Sequence, residues 1–552
     1  MNTRFKRGRA LGTAALISAA LVLSGCAESE REGGGGAEGE ATGGTLVFAG
    51  AAEPVTLDPF FAQDGESFRV NRQIFEGLVG TKPGTADPAP LLAKSWETSE
   101  DGLTYDFTLE TGVKFQDGTD FNAEAVCFNF DRWYNMPESA QSDALTYYYQ
   151  KLFRGFATGK KADAAIYDSC TAEGEDKVTI KLKEPFAGFI PAMSLPAFSM
   201  QSPTALEKFQ DDSKADPRTT EYSTGNPVGT GPFVFESWER GKQITLSAND
   251  DYWGEKAKVD EIAFVAIADP KARATALENG EIDGFDLVGP ADIQPLQDAG
   301  FQIINRDAFN ILYLGMNQKT KPLDDIRVRQ AIAHAINKDE VVSASLPEGT
   351  QVATQFMPEL VNGWTDEVPT YDFDPEKAKQ LLAEAGAEGA TIEFNYPTDV
   401  SRPYMPSPED TFNVIRSQLE AVGLKVKPVA DRWDPDYLDK IAGSADHGIH
   451  LLGWTGDYND SDNFVGVFFG AENPEWGFKN EEIFSAVTEA RGIPTQEEQT
   501  PFYEDLNIQI MEFLPGVPIA HPVPSLAFAP GVEGFQQSPV NDEVFNTVTI
   551  QE

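Results

Sequence analysis

Alternation of apolar and polar positions marks two segments, 103–109 (LTYDFTL) and 178–182 (VTIKL), as half-buried strands. The stretches 137–145 and 203–227 are polar and read as loop-rich. The clearest pattern lies in the C-terminal half. Thr391–Tyr396 reads as a strand that stops at Pro397. Ser407-Pro408-Glu409-Asp410 then has the form of a helix start, with an N-cap serine, a proline at the first helical position and acids in the first turn. Val414, Ile415, Leu419 and Val422 recur at helical spacing, and Gly423 suits the position after the helix. A second strand follows at Leu424–Val429, a short helix around Pro435–Ile441, and a third strand at His450–Gly453. This βαβαβ run predicts parallel strands joined by right-handed crossovers. Two earlier helices fit the same α/β class. One opens at Pro322-Leu323-Asp324-Asp325 and aligns Val328, Ile332, Ala335 and Ile336; the other begins at Asp374-Pro375 and closes at Gly386.

In open α/β sheets ligands sit beyond the carboxyl ends of the strands. Arg402 lies in the loop after the first strand of the run and Asp457 in the loop after the third, so the topology puts both on one rim. Arg402, in Ser401-Arg402-Pro403-Tyr404-Met405-Pro406, offers a planar fork for a carboxylate. Asp457 follows Gly453-Trp454-Thr455-Gly456, where a carboxylate beside an aromatic face can receive an ammonium group.

With 552 residues the chain holds two to four packing units. Its 41% apolar and 11% aromatic content is that of a folded protein. The 88 acids against 43 cations, a net −45, argue against nucleic acid or an anionic membrane surface as the main partner. The ordinary meaning of such charge is solubility. The N-terminus departs from this pattern. Arg4, Lys6, Arg7 and Arg9 precede an apolar run from Ala10 to Leu23, so residues 1–25 read as an export signal. No later apolar run approaches the length of a membrane span. The signal ends in Leu23-Ser24-Gly25-Cys26, which resembles a bacterial lipobox; the alternative is a free cysteine in an ordinary signal peptide. Residues 26–43 are rich in glycine and glutamate and read as a flexible tether with a reach of about 25 Å. Of the remaining cysteines, Cys127 and Cys170 are expected to form one disulfide, with two separate buried thiols as the alternative.

Catalytic and metal signatures are missing. There is no H-E-x-x-H, G-x-S-x-G, G-x-x-x-x-G-K-[ST] or C-x-x-C. His447 and His450, three apart beside a strand, are expected to point to opposite faces, and no metal or cofactor is expected.

The chain resembles the dipeptide/oligopeptide-binding lipoproteins of ATP-driven (ABC) importers, the family 5 extracellular solute-binding proteins. The motifs are Pro227-Val228-Gly229-Thr230-Gly231-Pro232-Phe233, Asp251-Tyr252-Trp253-Gly254, Pro322–Ala331, Asp374-Pro375-Glu376-Lys377-Ala378 and the loop Gly453–Phe464. The resemblance covers the chain from about Thr45 onward. It implies a two-lobed periplasmic-binding-protein-like fold with mixed sheets, an extra inserted domain and hinge closure over the ligand. Lobe I would comprise 44–77, 225–308 and 525–552, the accessory domain 78–224, and lobe II 309–524. By family analogy the aspartate of G-W-x-G-D, here Asp457, holds a peptide's ammonium. The arginine of R-P-Y-x-P, here Arg402, holds its carboxylate, and Trp454 and Trp433 line the cavity. The termini of an extended dipeptide are about 6–7 Å apart, so two fixed charges can act as a ruler for length.

The implied protein is a non-enzymatic, monomeric receptor, lipid-anchored through Cys26 on the outer face of the cytoplasmic membrane, that passes short peptides to ABC permease subunits. The same fold in this family also takes longer peptides, oligosaccharides, opines, metal chelates or haem, and Ser461 stands where many relatives carry proline. A secreted peptide hydrolase is the alternative from another class.

Overall fold

The computed structural model describes residues 43–551. The expected export signal, Cys26 and all of the tether but Gly43 lie outside the described residues. Three larger sheets organise the described chain. The seven-stranded sheet runs, in spatial order, Gln302–Asn305, Ser525–Phe528, Gly284–Asp286, Thr45–Gly50, Glu261–Ala266, Gln243–Ala248 and Phe233–Glu239. Thr45–Gly50 is parallel to two neighbours while the outer pairs are antiparallel, so the sheet is mixed. The six-stranded sheet runs Gln351–Val352, Gly516–His521, Asn310–Met316, Ile449–Thr455, Thr391–Thr398 and Lys425–Arg432. A four-stranded antiparallel sheet, Ala93–Thr98, Thr104–Leu109, Lys177–Leu182 and Tyr167–Glu173, is covered by the helix Ala123–Tyr134. Cys127 of that helix is joined to Cys170 of the edge strand by a disulfide, with Cα atoms 5.3 Å apart.

The chain passes between the seven- and six-stranded sheets twice, and the two crossings run side by side. Arg306 N donates to Pro524 O at 2.8 Å and Asn310 Nδ2 to Pro522 O at 3.0 Å. Arg306 is 1% exposed and spans two acids, Asp286 at 2.6 Å and Glu543 at 2.5 Å, while Arg69 takes the other oxygen of Asp286. Burial alone would raise the pKa of the Asp286 carboxyl, but the two guanidiniums outweigh it and hold the group well below the usual carboxylate range.

Two of the expected helix starts carry side-chain caps: Asp325 accepts from Arg327 N ahead of Ile326–Ala335, and Asp374 from Lys377 N ahead of Pro375–Glu384. Ser407, expected as the N-cap of Pro408–Ala421, makes no side-chain cap bond, and the helix starts on Pro408 and its acidic first turn instead. Gly386, at φ +65°, and Gly423, at φ +97°, take the left-handed conformation after their helices. Three further local expectations need correction. The strand at 391 runs through Pro397 to Thr398, because its ladder with Ile449–Thr455 ends at Asn395 and proline interrupts no bond on that side. The segment 203–227 holds two short helices, Pro203–Phe209 and Glu221–Gly225, each started by a hydroxyl cap, Ser202 and Thr220. Within 137–145, a 3-10 turn at Glu138–Ala140 leads into the helix Asp143–Phe153.

Candidate ligand-binding site

Thr391–Thr398 is parallel to both Lys425–Arg432 and Ile449–Thr455, so the carboxyl ends of three neighbouring strands share one rim. Arg402 follows the first strand, Trp433 stands immediately after the second, and Asp457 lies just past the third. The rim therefore gathers Arg402, Trp433, Trp454 and Asp457 on one sheet edge.

At one end, Arg402 and Met405 exchange backbone hydrogen bonds of 3.1 and 2.9 Å, closing a tight turn. Tyr404 in that turn packs over Gly453, where an added Cβ would lie 2.3 Å from its ring. The Arg402 guanidinium sits 4.4 Å above the Trp433 ring, which is itself stacked on Tyr437. Arg402 Nε is buried with no hydrogen-bond partner. An arginine stacked on an indole with its Nε unpartnered is open to an anionic group from outside.

At the other end, Asn463 Oδ1 accepts from Asp457 N at 3.0 Å and from Trp454 Nε1 at 3.4 Å, tying the tryptophan and the aspartate to one amide. Asp457 is partly exposed as a residue, but its Oδ2 is sealed and has no hydrogen-bond partner. Burial pushes the carboxyl up to about 7; interaction with the Tyr148 hydroxyl, the Arg72 charge and Asn463 pull the other way only in part. Trp454 also meets Phe468 edge to face.

Tyr148 and Arg72 were not among the residues singled out from the sequence. Tyr148 lies on the helix Asp143–Phe153, within a run of three tyrosines at 147–149 that was the only available signal. Arg72 lies on the helix Gly65–Ile74, pairs with Asp542, and donates to Ser194 O at 3.3 Å. Its Nε is buried without a partner, and burial lowers the guanidinium to about 10. Ser461, noted as a departure from proline, donates its hydroxyl to Asn362 O and opens a 3-10 turn capped by Asp460. The histidines also differ from expectation. His447 precedes the strand that carries His450, so strand alternation does not apply, and the two rings lie 5.1 Å apart. Both meet Glu475, and among the described residues no group of three or more His, Cys, Asp or Glu is placed to hold a metal.

The bacterial extracellular solute-binding proteins, family 5 Middle, match residues 87–476, more than half of the chain. The chain belongs to that family. Haem-binding protein A of Haemophilus influenzae is 30% identical over 98% of both chains. The dipeptide-binding protein of Escherichia coli is 31% identical over 92% of this chain and 95% of its own. Among solved structures, the periplasmic binding protein DppA of Helicobacter pylori in complex with peptide STSA superposes with a TM-score of 0.77 at 28% identity, covering 93% of this chain and 99% of that one. The dipeptide-binding protein of Pseudoalteromonas sp. SM9913 in complex with Met-Leu gives 0.78 at 25%, covering 92% and 100%. The fold is therefore the two-lobed one of periplasmic binding proteins, and the protein is a transport receptor, not an enzyme. Among the described residues no helix is long and apolar enough to cross a membrane.

Proposed function

We propose that this family 5 receptor captures short peptides, dipeptides foremost, and delivers them to the permease subunits of an ABC importer. The observation that carries the reading is the pair of unpartnered buried polar atoms on one rim, Asp457 Oδ2 and Arg402 Nε. Each is costly alone and satisfied together by a zwitterion. Asp457 takes the ammonium, Arg402 takes the carboxylate, and Trp454 and Trp433 wall the space between. Because the grip is on the termini, side chains vary freely and length is selected. The peptide-bound relatives support the same reading.

The seven-stranded sheet draws on 44–77, 225–308 and 525–552, the four-stranded one on 78–224, and the six-stranded one on 309–524. We take these as lobe I, accessory domain and lobe II, with closure about the paired crossings at 305–310 and 521–525. Cys26 is read as the lipid attachment site that holds the mature monomer on the outer face of the cytoplasmic membrane. Metabolic labelling with a fatty acid, lost in Cys26→Ser, tests the anchor. Titration of ligand-free protein with Met-Leu, with STSA and with haemin tests the ligand class. Saturable binding of Met-Leu supports the proposal. Binding of haemin alone would transfer the receptor to the ligand named for its Haemophilus relative.

A further inference from the structure

The residues directly after Asp457 leave the six-stranded sheet's core and enter another. Tyr458 is 3% exposed and belongs to the apolar cluster built by residues 60–200 around the four-stranded sheet. Asn459 Nδ2 reaches Asp87 Oδ1 at 3.4 Å. Asp460, 2% exposed, occupies a notch at Gly188, where an added Cβ would come within 2.7 Å of its Oδ2 and 2.9 Å of the Phe186 ring. Nearby, Gly102 meets Pro494 so closely that a Cβ would lie 3.0–3.2 Å from that proline. On its own side the loop is stiff. Gln496 Nε2 donates to Asn459 O at 2.8 Å and Asp460 Oδ2 at 3.1 Å, and Arg491 clasps Asp462 with bonds of 2.6 and 3.0 Å.

We infer that Tyr458-Asn459-Asp460 is a latch that seats the Asp457 loop in the Gly188 notch, so that capture of the ligand's ammonium and docking of lobe II on the 86–188 region are one event. This rests on the reading of Asp457 as the ammonium site. The loop is too braced by Gln496 and Arg491 to move by itself, so Tyr458 can leave its apolar cluster only when the lobe moves with it. Asp457 and the latch are contiguous in the chain, which makes the carboxylate's approach to Tyr148 and the seating of Tyr458 geometrically inseparable. The three latch residues are thereby positioning residues for Asp457 and touch no ligand themselves.

Gly188 has φ −75° and ψ 5°, a backbone open to any L-residue, so Gly188→Leu fills the notch without backbone strain. In the full mature chain this variant should keep its thermal midpoint within a few degrees and bind Met-Leu at least tenfold more weakly. It should also lack the peptide-induced fall in radius of gyration that the wild type should show in small-angle scattering. A second variant, Asp87→Cys with Asn459→Cys, should cross-link at least fivefold faster with Met-Leu than without, and decides the matter if Gly188→Leu does not fold. Affinity within twofold of wild type with compaction retained, or cross-linking indifferent to peptide, would overturn the latch and leave the ammonium assignment standing. Wild-type protein that binds neither Met-Leu nor STSA would overturn both.

Discussion

The two ends of the site are built differently. Arg402, its turn and the indole beneath it all come from the six-stranded sheet and its loops, within about 35 residues of chain. Asp457 instead faces the Tyr148 hydroxyl and feels the charge of Arg72, which arrive on helices from distant parts of the sequence, and its loop continues into a foreign apolar cluster. On the proposed reading, the carboxylate grip is complete within one lobe and ready before closure, whereas the ammonium grip is assembled from both sides of the cleft and finished only when they meet. Such a receptor would catch a peptide by its C-terminus first and check its N-terminus on closing.

Removing either charge should produce the largest effects and equalise the two ends. Asp457→Asn and Arg402→Ala are each expected to weaken Met-Leu binding by about 100-fold or more in calorimetric titration, since the ligand's opposite charge is then buried unpaired. The difference between the ends emerges from pH. Asp457 in the ligand-free protein is pushed up to about 7, and binding an ammonium requires its ionised form. Binding therefore releases a proton below pH 7, and affinity should fall toward tenfold per pH unit on acidification, roughly 15-fold between pH 7 and pH 5.5, a range in which the peptide's own amino group stays charged. The slope should persist in Arg402→Ala and vanish in Asp457→Asn. Tyr148→Phe should cost about five- to tenfold, with most of that loss absent for N-acetylated peptide, because only the ammonium end uses the hydroxyl. The smallest effect on binding belongs to the disulfide. Cys127→Ser with Cys170→Ser should cost about 2–4 kcal/mol of stability by denaturant titration and leave affinity within twofold, since the bridge braces the four-stranded sheet without facing the rim.

The same contrast explains what was legible in the amino-acid order. The Arg402 end rests on local signals, a cap at Asp374, a proline at the first position of Pro408–Ala421 and a glycine after each helix, and strand parallelism then carries Arg402 and Asp457 to one rim. Trp433 is placed by the same logic, as the first residue past its strand. Tyr148 and Arg72 carry no such signal, because their meeting with Asp457 depends on how separate sheets pack. The buried Arg306 with its two acids is equally silent in sequence, where it is one more charge in an acidic chain. The loop-rich reading of 203–227 failed for a different reason: composition hid capping hydroxyls at Ser202 and Thr220 that suffice to start short helices.

Capture of a peptide by its two termini is the heart of the proposed function. It is tested most directly by calorimetry on unfolded-and-refolded, ligand-free protein, comparing Met-Leu with N-acetyl-Met-Leu and Met-Leu-amide. Free Met-Leu should bind saturably, and either capped form at least 100-fold more weakly. Equal binding of free and capped peptides would contradict it.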